Sequence, residues 1–421
     1  MSGRRDRDPR NPIEGSDMRV LLFTGKGGVG KTTAAAGTAT LAAHRGMRTL
    51  VLSTDAAHSL GDAFDAPVGP EPTEVDTDLY AQQVDTQQRF EQHWGQVQDY
   101  LLAVLDAAGV DRLEAEELTV LPGAEEVLAL LEVRNQVRSG RWDLVVVDCA
   151  PTAETLRLLA LPEALAWYME RVFPIERRVI RSLRPVLSRV AGVPMPQTPV
   201  LDAVERLHDE LADVRRVLTQ PYSSVRLVLT PESVVVAEAR RTLTSLALYG
   251  YRVDAVLANR VFPADSQDAW LRGWAAAQAQ QLEEIEQCFV PLPVYRSPYR
   301  AAEPVGVEEL AAFAAAAYGS GCRVPDDPFA VPDVEEPLSV ERSGEQFVLS
   351  LALPLADRRE MDLVRKGDEL VLTVGSHRRV LALPGALRRR EIVGAELRGG
   401  RLRVRFAAEE ITSDERVRVS S

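Results

Sequence analysis

The segment Leu21–Thr33, LLFTGKGGVGKTT, joins a run of apolar residues to a glycine-rich turn and an alanine-rich stretch. Residues Gly25–Thr32 satisfy the pattern G-x-x-x-x-G-K-[ST], in which backbone N–H groups converge on phosphate oxygens at a helix N-terminus. The apolar run Arg19–Thr24 is typical of a buried parallel strand, and a helix is expected to about His44. This order of strand, loop and helix predicts a nucleotide site. Its predicted contacts are Gly25, Gly27, Gly28, Val29, Gly30, Lys31, Thr32 and Thr33.

Residues in and beyond the loop are candidates for binding the phosphates, the metal ion and the attacking water. Lys31 would neutralise the β- and γ-phosphates of ATP, and the Thr32 hydroxyl would bind Mg²⁺. Asp148 ends the apolar strand LVVVD and is predicted to hold the same ion through water. Asp55 ends TLVLSTD at the same sheet edge, where it could orient the attacking water or cap a helix. Spacing alone leaves both roles of Asp55 open.

Lysine is scarce in this chain, and its positions are informative. Of 49 basic residues, only Lys26, Lys31 and Lys366 are lysines, and two of these lie in the glycine loop. Lys26 is not required by the basic pattern. It could be a solvated loop charge, but the scarcity of lysine elsewhere argues against that interpretation and favours a functional ammonium.

Apolar segments alternate with helical patterns through most of the chain. Strands are also predicted at 49–53, 79–84, 144–147, 226–230 and 254–258, with a helix at 233–248. This alternation predicts an α/β fold, a doubly wound and mostly parallel sheet of the P-loop NTPase type. Long helical stretches at about 86–138 and 163–218 predict a helical subdomain on the sheet.

Changes in composition and in hydrophobic periodicity divide the chain into further parts. Residues 1–17 are charged and are expected to form a disordered leader before a nucleotide-binding domain at 18–325. Residues 326–337 are rich in proline and acidic side chains, which suits a linker. Residues 338–410 alternate with period two between turn signals, so a small antiparallel β-sandwich is expected there. Residues 411–421 are expected to be a tail.

Charge and cysteine usage exclude several functional classes. The net charge of −13 argues against nucleic-acid binding, which depends on neutralising phosphates. Cys149, Cys288 and Cys322 form no CxxC pair, so we expect no zinc and a reducing cytoplasmic location. The chain has no apolar run long enough for a transmembrane segment of its own.

Five segments together resemble the family of the arsenite-pump ATPase ArsA and the Get ATPase, which targets tail-anchored membrane proteins. They are FTGKGGVGKTT, LSTDAAHSLGDAF, LPGAEEVLALLEV, VVVDCAPTAETLRLLALP and LANRVFP. The resemblance implies a Mg²⁺-dependent ATPase that closes as a homodimer around two nucleotides. Lys26 would reach the partner's nucleotide, Asp55 would polarise the attacking water, and Asp148 would begin the second switch. Asn259 would recognise adenine with the loop from Pro291 to Tyr299.

The chain departs from the family pattern at several positions. Ala56 stands where the family usually has proline, and Ala153-Glu154 stand where it usually has Gly-His. Loss of a glycine restricts the second switch, and an added carboxylate near phosphate could slow turnover. The paired cysteines of some Get dimers and the clustered cysteines expected for arsenite activation are absent.

The C-terminal β segment resembles an α-crystallin, or small heat-shock protein, domain. The stretch GAELRGGRLRVRF at 394–406 is similar to the late hairpin of that domain, and a generic β-sandwich is the alternative. Val417-Arg418-Val419 could mimic the docking motif of small heat-shock proteins or be plain tail.

A basic amphipathic segment in the second helical stretch raises the question of a client. Its candidate groove residues are Met169, Val172, Val179, Ile180 and Leu183. Three interpretations remain open, namely packing on the nucleotide-binding domain, a groove for an apolar helix, and contact with an acidic membrane. The leading functional hypothesis is an ATP-driven chaperone or targeting factor for hydrophobic or membrane-protein clients. The alternatives are an ATPase subunit of a metalloid exporter and a nucleotide-switched scaffold or partitioning protein.

Overall fold

The computed structural model of the chain describes residues 18–54, 59–84, 124–149, 198–332, 336–344, 346–407, 416–417 and 419–420. A nine-stranded sheet dominates its first domain. In chain order the strands are β1 (Arg19–Thr24), β2 (Thr49–Ser53), β3 (Thr73–Asp76), β4 (Leu79–Gln83), β5 (Leu144–Asp148), β6 (Ser223–Leu229), β7 (Val253–Val261), β8 (Val294–Pro298) and β9 (Gly321–Cys322). Their order across the sheet is β3-β4-β2-β5-β1-β6-β7-β8-β9.

The inner strands of this sheet are parallel, and only the edge strands run the other way. β3 is antiparallel to β4, and β9 is antiparallel to β8. The predicted doubly wound, mostly parallel sheet is therefore confirmed. β6 begins at Ser223 rather than at Arg226, and β7 extends to Val261.

Seven helices accompany the sheet in the described part of this domain. They are α1 (Lys31–His44), α2 (Ser59–Phe64), α3 (Ala124–Arg138), α4 (Thr198–Leu218), α5 (Ser233–Leu248), α6 (Ala269–Cys288) and α7 (Val307–Tyr318). Every residue of β1, β2, β5 and β6 is buried, as expected when helices cover both faces of a parallel sheet. α1 packs against α7, where a Cβ at Gly37 would approach the Leu310 carbonyl oxygen to 2.9 Å.

The two predicted helical stretches are described only at their C-terminal ends. α3 lies at the end of the first stretch and contacts β5, while α4 lies at the end of the second and contacts β6. These two helices also contact each other. The described ends of both stretches therefore pack onto the sheet.

A buried ion cluster joins three neighbouring strands of the sheet. The Asp254 carboxylate on β7 accepts from Arg19 Nη2 on β1 at 2.8 Å and from Arg226 Nη2 on β6 at 3.3 Å. Burial lowers the pKa of Arg19 to about 10. Burial also disfavours the charge of Arg226, but Asp254, Tyr318 and Tyr295 outweigh it and raise the pKa of Arg226. Two arginines thus share one carboxylate inside the domain.

The C-terminal domain is a separate pair of sheets with its own apolar core, as predicted. Its strands are β10 (Leu338–Ser343), β11 (Gln346–Ala352), β12 (Met361–Lys366), β13 (Glu369–Val374), β14 (His377–Ala382), β15 (Ile392–Arg398), β16 (Arg401–Phe406), β17 (Arg416–Val417) and β18 (Val419–Ser420), with a 3₁₀ turn at Arg358–Glu360 and a short helix α8 (Gly385–Arg388). The sheets have the orders β10-β11-β16-β15-β18 and β14-β13-β12-β17.

The strand pairs of this domain are antiparallel apart from β15 with β18. β17 and β18 come from the segment that was expected to be a tail. β17 extends one sheet beside β12, and β18 extends the other beside β15. The chain end therefore contributes one short strand to each sheet.

The segment between the domains is anchored at its beginning. Phe329 is buried in the core of the first domain, and the Pro328 carbonyl accepts from Arg226 Nη2. The first part of the predicted linker at 326–337 is therefore packed against the first domain.

The two domains also contact each other through α5. Leu248, the last residue of α5, lies in the apolar core of the C-terminal domain. Arg379 of β14 donates to the Leu248 carbonyl through Nη1, and Thr244 Oγ1 donates to the Pro354 carbonyl at 2.6 Å. His377 meets Tyr249 edge-to-face at a ring distance of 6.4 Å. No helix within the described ranges is both long and apolar enough to cross a membrane.

Candidate nucleotide-binding site

The loop Gly25–Gly30 connects β1 to α1 at the carboxyl edge of the sheet, as predicted. Gly25 passes so close to β6 that a Cβ there would collide with the Val228 carbonyl oxygen. Gly30 has a φ of 92°, and a Cβ there would collide with the side-chain amide of Asn259. Only glycine meets both demands, because it has no Cβ and adopts positive φ without strain.

Lys31 is the first residue of α1 and is 7% exposed. Its Nζ donates to the Lys26 carbonyl oxygen at 3.5 Å, so the ammonium lies against the backbone of the loop. Gly27 and Gly28 are exposed, and Lys26 is half-buried beside them. The loop therefore presents two lysines and a stretch of backbone at one edge.

Asp148 ends β5, the strand between β1 and β2, and is buried beside Phe23 and Ser53 in the strand register. Its carbonyl accepts from Thr54 N at 2.9 Å, which joins the ends of β5 and β2. Burial and then the negative charge of Asp148 raise the pKa of the Cys149 thiol to about 12, while Lys31 opposes the shift. The charges of Asp148 and Lys31 therefore act on the same small region.

Two hydroxyl groups are further candidate ligands beside the Asp148 carboxylate. The Thr32 hydroxyl lies 3.3 Å from the hydroxyl of Ser59, the first residue of α2. Sequence reasoning predicted Thr32 and missed Ser59, although Ser59 follows closely on the switch segment that begins at Asp55. Carboxylate and hydroxyl oxygens are hard ligands that suit Mg²⁺, so this donor set fits the ion.

Asn259 lies on β7 and is buried against the loop. Its Nδ2 donates to the Val29 carbonyl at 2.9 Å, and its Oδ1 accepts from Arg260 N at 2.9 Å. The residue named from the family resemblance is thus brought to the predicted loop. The bond that it makes to the loop backbone was not anticipated from the sequence.

An aromatic pair continues the site beyond Asn259. Phe262 stacks on Tyr299 with ring centroids 4.9 Å apart, and Tyr299 N donates to the Val261 carbonyl at 2.8 Å. The side-chain amide of Gln278 on α6 fixes the backbone around Phe262. Its Oε1 accepts from Phe262 N, and its Nε2 donates to the Arg260 carbonyl oxygen. Tyr299 ends the predicted loop from Pro291, whereas Phe262 was missed.

Other predicted site residues lie outside the described residues. These are Asp55, the departures Ala56 and Ala153-Glu154, and the groove residues Met169, Val172, Val179, Ile180 and Leu183. The described residues alone assemble a phosphate-type loop, a buried carboxylate and two hydroxyls at one sheet edge. Such an arrangement is chemically suited to an anion with a divalent cation.

Comparison with known proteins agrees with this geometry. Residues 18–319 match the model of the anion-transporting ATPase family, and residues 344–406 match that of an HSP20-like domain found in ArsA. A protein of Chlorobaculum tepidum named as an arsenical pump-driving ATPase is 40% identical over 88% of this chain and 91% of its own length.

Two further relatives extend the comparison. An uncharacterized protein of Streptomyces coelicolor is 43% identical over 93% of this chain and 97% of its own length. The ATPase get3 of Aspergillus terreus is 30% identical over 70% of this chain and 89% of its own length. These matches show that the chain belongs to the anion-transporting ATPase family of ArsA and Get3 and carries the HSP20-like domain found in ArsA.

Proposed function

We propose that this ATPase works as a homodimer that binds hydrophobic or membrane-protein clients and couples their binding and release to ATP. The observation that carries the ATP chemistry is the loop geometry, with Lys31 buried against the loop backbone and Asp148 at the adjoining strand end. The same edge holds the hydroxyls of Thr32 and Ser59.

Different residues of the site would bind the phosphates and the metal ion. Backbone N–H groups of Gly25–Thr33 bind phosphate oxygens, and Lys31 neutralises the β- and γ-phosphates. Thr32 would bind Mg²⁺ directly and Asp148 through water. When bound, the ion offsets negative charge on the phosphates and polarises the γ-phosphate.

Asn259 would bind the adenine base as well as the loop. An amide nitrogen carries two hydrogens, and only one of them is needed for the bond to the Val29 carbonyl. The second would donate to a ring nitrogen of adenine, next to the aromatic pair of Phe262 and Tyr299.

Hydrolysis would need residues from two copies. Lys26 lies on the more open side of the loop, from which it would reach the partner's nucleotide. Asp55 would hold the attacking water and accept its proton. ATP would thus favour a closed dimer, and hydrolysis would open it.

The client hypothesis is supported by two parts of the chain. The basic amphipathic stretch around Met169, Val179 and Leu183 has the composition of a groove for an apolar helix. The HSP20-like domain is fastened to the ATPase domain through Arg379 and Leu248, which would let it follow movements of α5.

A second candidate is the ATPase subunit of a metalloid exporter. The naming of a Chlorobaculum tepidum relative as an arsenical pump-driving ATPase favours it. In this reading, arsenite stimulates ATP hydrolysis. In the client reading, turnover is indifferent to arsenite.

A client trap separates these functions. Asp55→Asn is loaded with ATP and purified from native cytosol without detergent, and bound proteins are compared by mass spectrometry with those of Lys31→Ala. Enrichment of proteins with a transmembrane helix, lost in Lys31→Ala, is the expected result. Recovery of a single transporter, together with arsenite-stimulated turnover, would support the exporter function instead.

A further inference from the structure

An open cavity of about 360 Å³ lies where the two domains meet, and arginines dominate its wall. Arg215 and Arg216 come from the last turn of α4, Arg252 directly precedes β7, and Arg379 belongs to β14 of the C-terminal domain. Glu336, just before β10, is the one carboxylate among the described residues that line the cavity. Four arginines therefore share this wall with one acidic residue, and we call it the arginine cavity.

Two of these arginines are buried, which is unfavourable for a cation. Arg252 is 8% exposed and Arg379 is 3% exposed. Removing a guanidinium from water disfavours its charge unless a counter-charge lies close by. Burial accordingly lowers the pKa of Arg252, and the opposing effect of Glu336 does not cancel this shift. The wall can therefore accommodate additional negative charge.

Capping of helix ends accounts for only part of this arrangement. Arg252 donates to the Thr219 carbonyl just after α4, and Arg379 donates to the Leu248 carbonyl at the end of α5. Each of these bonds uses one of the five N–H groups of a guanidinium. A helix C-terminus has the effect of roughly half a negative elementary charge, so two helix ends offset only about one of the four cations.

Carboxylates near α4 offset a further part of the charge. Arg216 is exposed and pairs with Asp213 at 2.7 Å. Asp213 also pairs with Arg138 of α3 at 2.9 Å, so one carboxylate is shared between two arginines. The wall of the arginine cavity remains basic when this pair is included.

The two domains approach each other closely at this wall. Gly250 has a φ of 86°, and a Cβ there would lie 3.6 Å from Arg379 Nη2. Arg252 follows two residues after this glycine, and Arg401 Nη2 donates to the Glu336 carbonyl at 3.0 Å. Guanidiniums of both domains are therefore present at one turn. An anion bound between them would replace their repulsion by attraction.

The arginine cavity is separate from the nucleotide site. The phosphate loop follows the carboxyl end of β1, whereas Thr219 and Arg252 lie before the amino ends of β6 and β7. These three strands are parallel, so the cavity lies at the opposite edge of the sheet. β6 has seven residues and spans roughly 23 Å. An anion in the cavity is therefore not the one that the loop binds.

The charge and the size of the cavity define a class of ligand. The planar fork of arginine matches the oxygens of phosphate, and several arginines together suit an anion with more than one phosphate group. A volume of about 360 Å³ is near the lower end of the range for ligand cavities. The cavity therefore suits a small molecule rather than a polymer.

We propose that the arginine cavity binds a small anion with two or more linked phosphate groups, and that this anion strengthens the contact between the two domains. Arg215 and Arg252 would bind it from the first domain, and Arg379 from the C-terminal domain. This inference goes beyond the proposed function and depends neither on the client nor on the dimer.

Isothermal titration with sodium tripolyphosphate tests this proposal. The full chain carries Lys31→Ala and the buffer contains EDTA, which weakens binding at the phosphate loop and removes divalent ions. Arg215→Gln and Arg252→Gln in this chain are each expected to raise the Kd at least about tenfold, as the loss of a charge-assisted contact does. Arg378→Gln removes the same charge from an exposed position of β14 and is the matched control, with a Kd within about twofold.

Glu336→Gln provides a change in the opposite direction. The carboxylate of Glu336 repels an anion in the cavity, so its removal is expected to lower the Kd for tripolyphosphate. The contact from Arg401 goes to the backbone carbonyl of Glu336 and is kept in this variant. A raised Kd for Glu336→Gln would contradict an anion site.

Calorimetry adds a readout of the domain contact. Saturating tripolyphosphate is expected to bring the unfolding transitions of the two domains closer together in the Lys31→Ala chain, and to have no such effect once Arg215→Gln is added. Arg215 is only half-buried, so Arg215→Gln decides the test if Arg252→Gln does not fold. Unfolding without the anion verifies that each variant is folded.

The possible outcomes separate the parts of the proposal. No binding of tripolyphosphate, or equal binding to Arg215→Gln and Arg378→Gln, overturns it. Binding that leaves the two unfolding transitions unchanged overturns the effect on the domains. ATP in the same chain identifies the source of the phosphates. ATP binding that is lost in Arg215→Gln supports a nucleotide ligand, whereas binding of tripolyphosphate alone supports a phosphate compound without a base.

Discussion

Gly30 shows how closely single residues determine the loop. A side chain there meets the Asn259 amide and must adopt a φ of 92°. We predict that Gly30→Ala lowers the free energy of unfolding by about 1–3 kcal/mol, because positive φ is strained and the Asn259 bond is lost. It also abolishes ATP binding. Urea unfolding and nucleotide titration measure the two effects.

Gly27 provides the matched control for this change. A Cβ at Gly27 meets nothing within 4 Å, and we expect Gly27→Ala to alter the unfolding free energy by less than about 0.5 kcal/mol. Equal destabilisation by both alanines would show that the contact with Asn259 does not shape the loop.

Cys149 leads to a pH prediction at the same scale. Burial first, and Asp148 second, raise its pKa from 9.0 to about 12. Between these values the unfolded chain loses the thiol proton while the folded chain keeps it, so the contribution of this group to stability is present below pH 9 and lost toward pH 12.

We therefore expect the stability difference between wild type and Cys149→Ala to shrink as pH rises through this window, measured by urea unfolding. At pH 8 a thiol reagent such as dithionitrobenzoate should modify Cys288 and Cys322 in the folded protein, and Cys149 only after unfolding. Rapid modification of all three would contradict the buried, protonated thiol.

Individual site residues differed in how far the sequence could predict them. Lys31, Thr32 and Asp148 follow from a motif and from the end of an apolar strand, because their chemistry is tied to local spacing. Ser59 and the bond from Asn259 to Val29 depend on the packing of β7 and α2 against the loop. Contacts between residues distant along the chain leave no local pattern to detect.

At the scale of elements, the Asp254 carboxylate joins β1, β6 and β7. Removing it with Asp254→Asn would leave Arg19 and Arg226 buried without their shared counter-charge. We predict a loss of about 3–5 kcal/mol in the free energy of unfolding, as for other broken buried pairs. Chemical denaturation measures it.

Asp213 is the control, because it also pairs with two arginines but lies near the surface. It contacts Arg138 at 2.9 Å and Arg216 at 2.7 Å. Asp213→Asn should cost only about 0–1 kcal/mol, since solvent screens exposed pairs. Similar losses in both variants would mean that burial does not strengthen the Asp254 cluster.

Strands and helices with a clear pattern of apolar residues could be predicted from the sequence. β1 and β2 have the expected bounds, and α5 runs from Ser233 to Leu248 as predicted. β3 is short and partly exposed, and β8 reads VYRSP with polar residues and a proline, so neither has the apolar run of a buried strand. These strands form because the sheet beside them offers partners.

At the scale of the molecule, the two domains are linked by a hydrogen bond from a guanidinium of the C-terminal domain to the end of a helix in the first domain. Arg379 of β14 donates to the Leu248 carbonyl at the C-terminus of α5. We predict that Arg379→Met lowers the unfolding free energy by about 1–3 kcal/mol, because a buried carbonyl loses its donor. Calorimetry should then show the two domains unfolding in more separate steps.

The neighbouring Arg378 is exposed on the same strand and makes a suitable control. Arg378→Met should leave the unfolding profile within about 0.5 kcal/mol of wild type. Two overlapping profiles for Arg378→Met and Arg379→Met would show that the bond from Arg379 to Leu248 does not couple the unfolding of the two domains.

Leu248 ends a helix of the first domain but lies in the apolar core of the second. During synthesis, α5 leaves the ribosome long before β16 and the rest of that core have been translated. The first domain therefore emerges with an apolar helix end still uncovered. The HSP20-like domain thus completes the surroundings of Leu248 only after its own translation, and a ribosome that stalls between the two domains would release a product prone to aggregation.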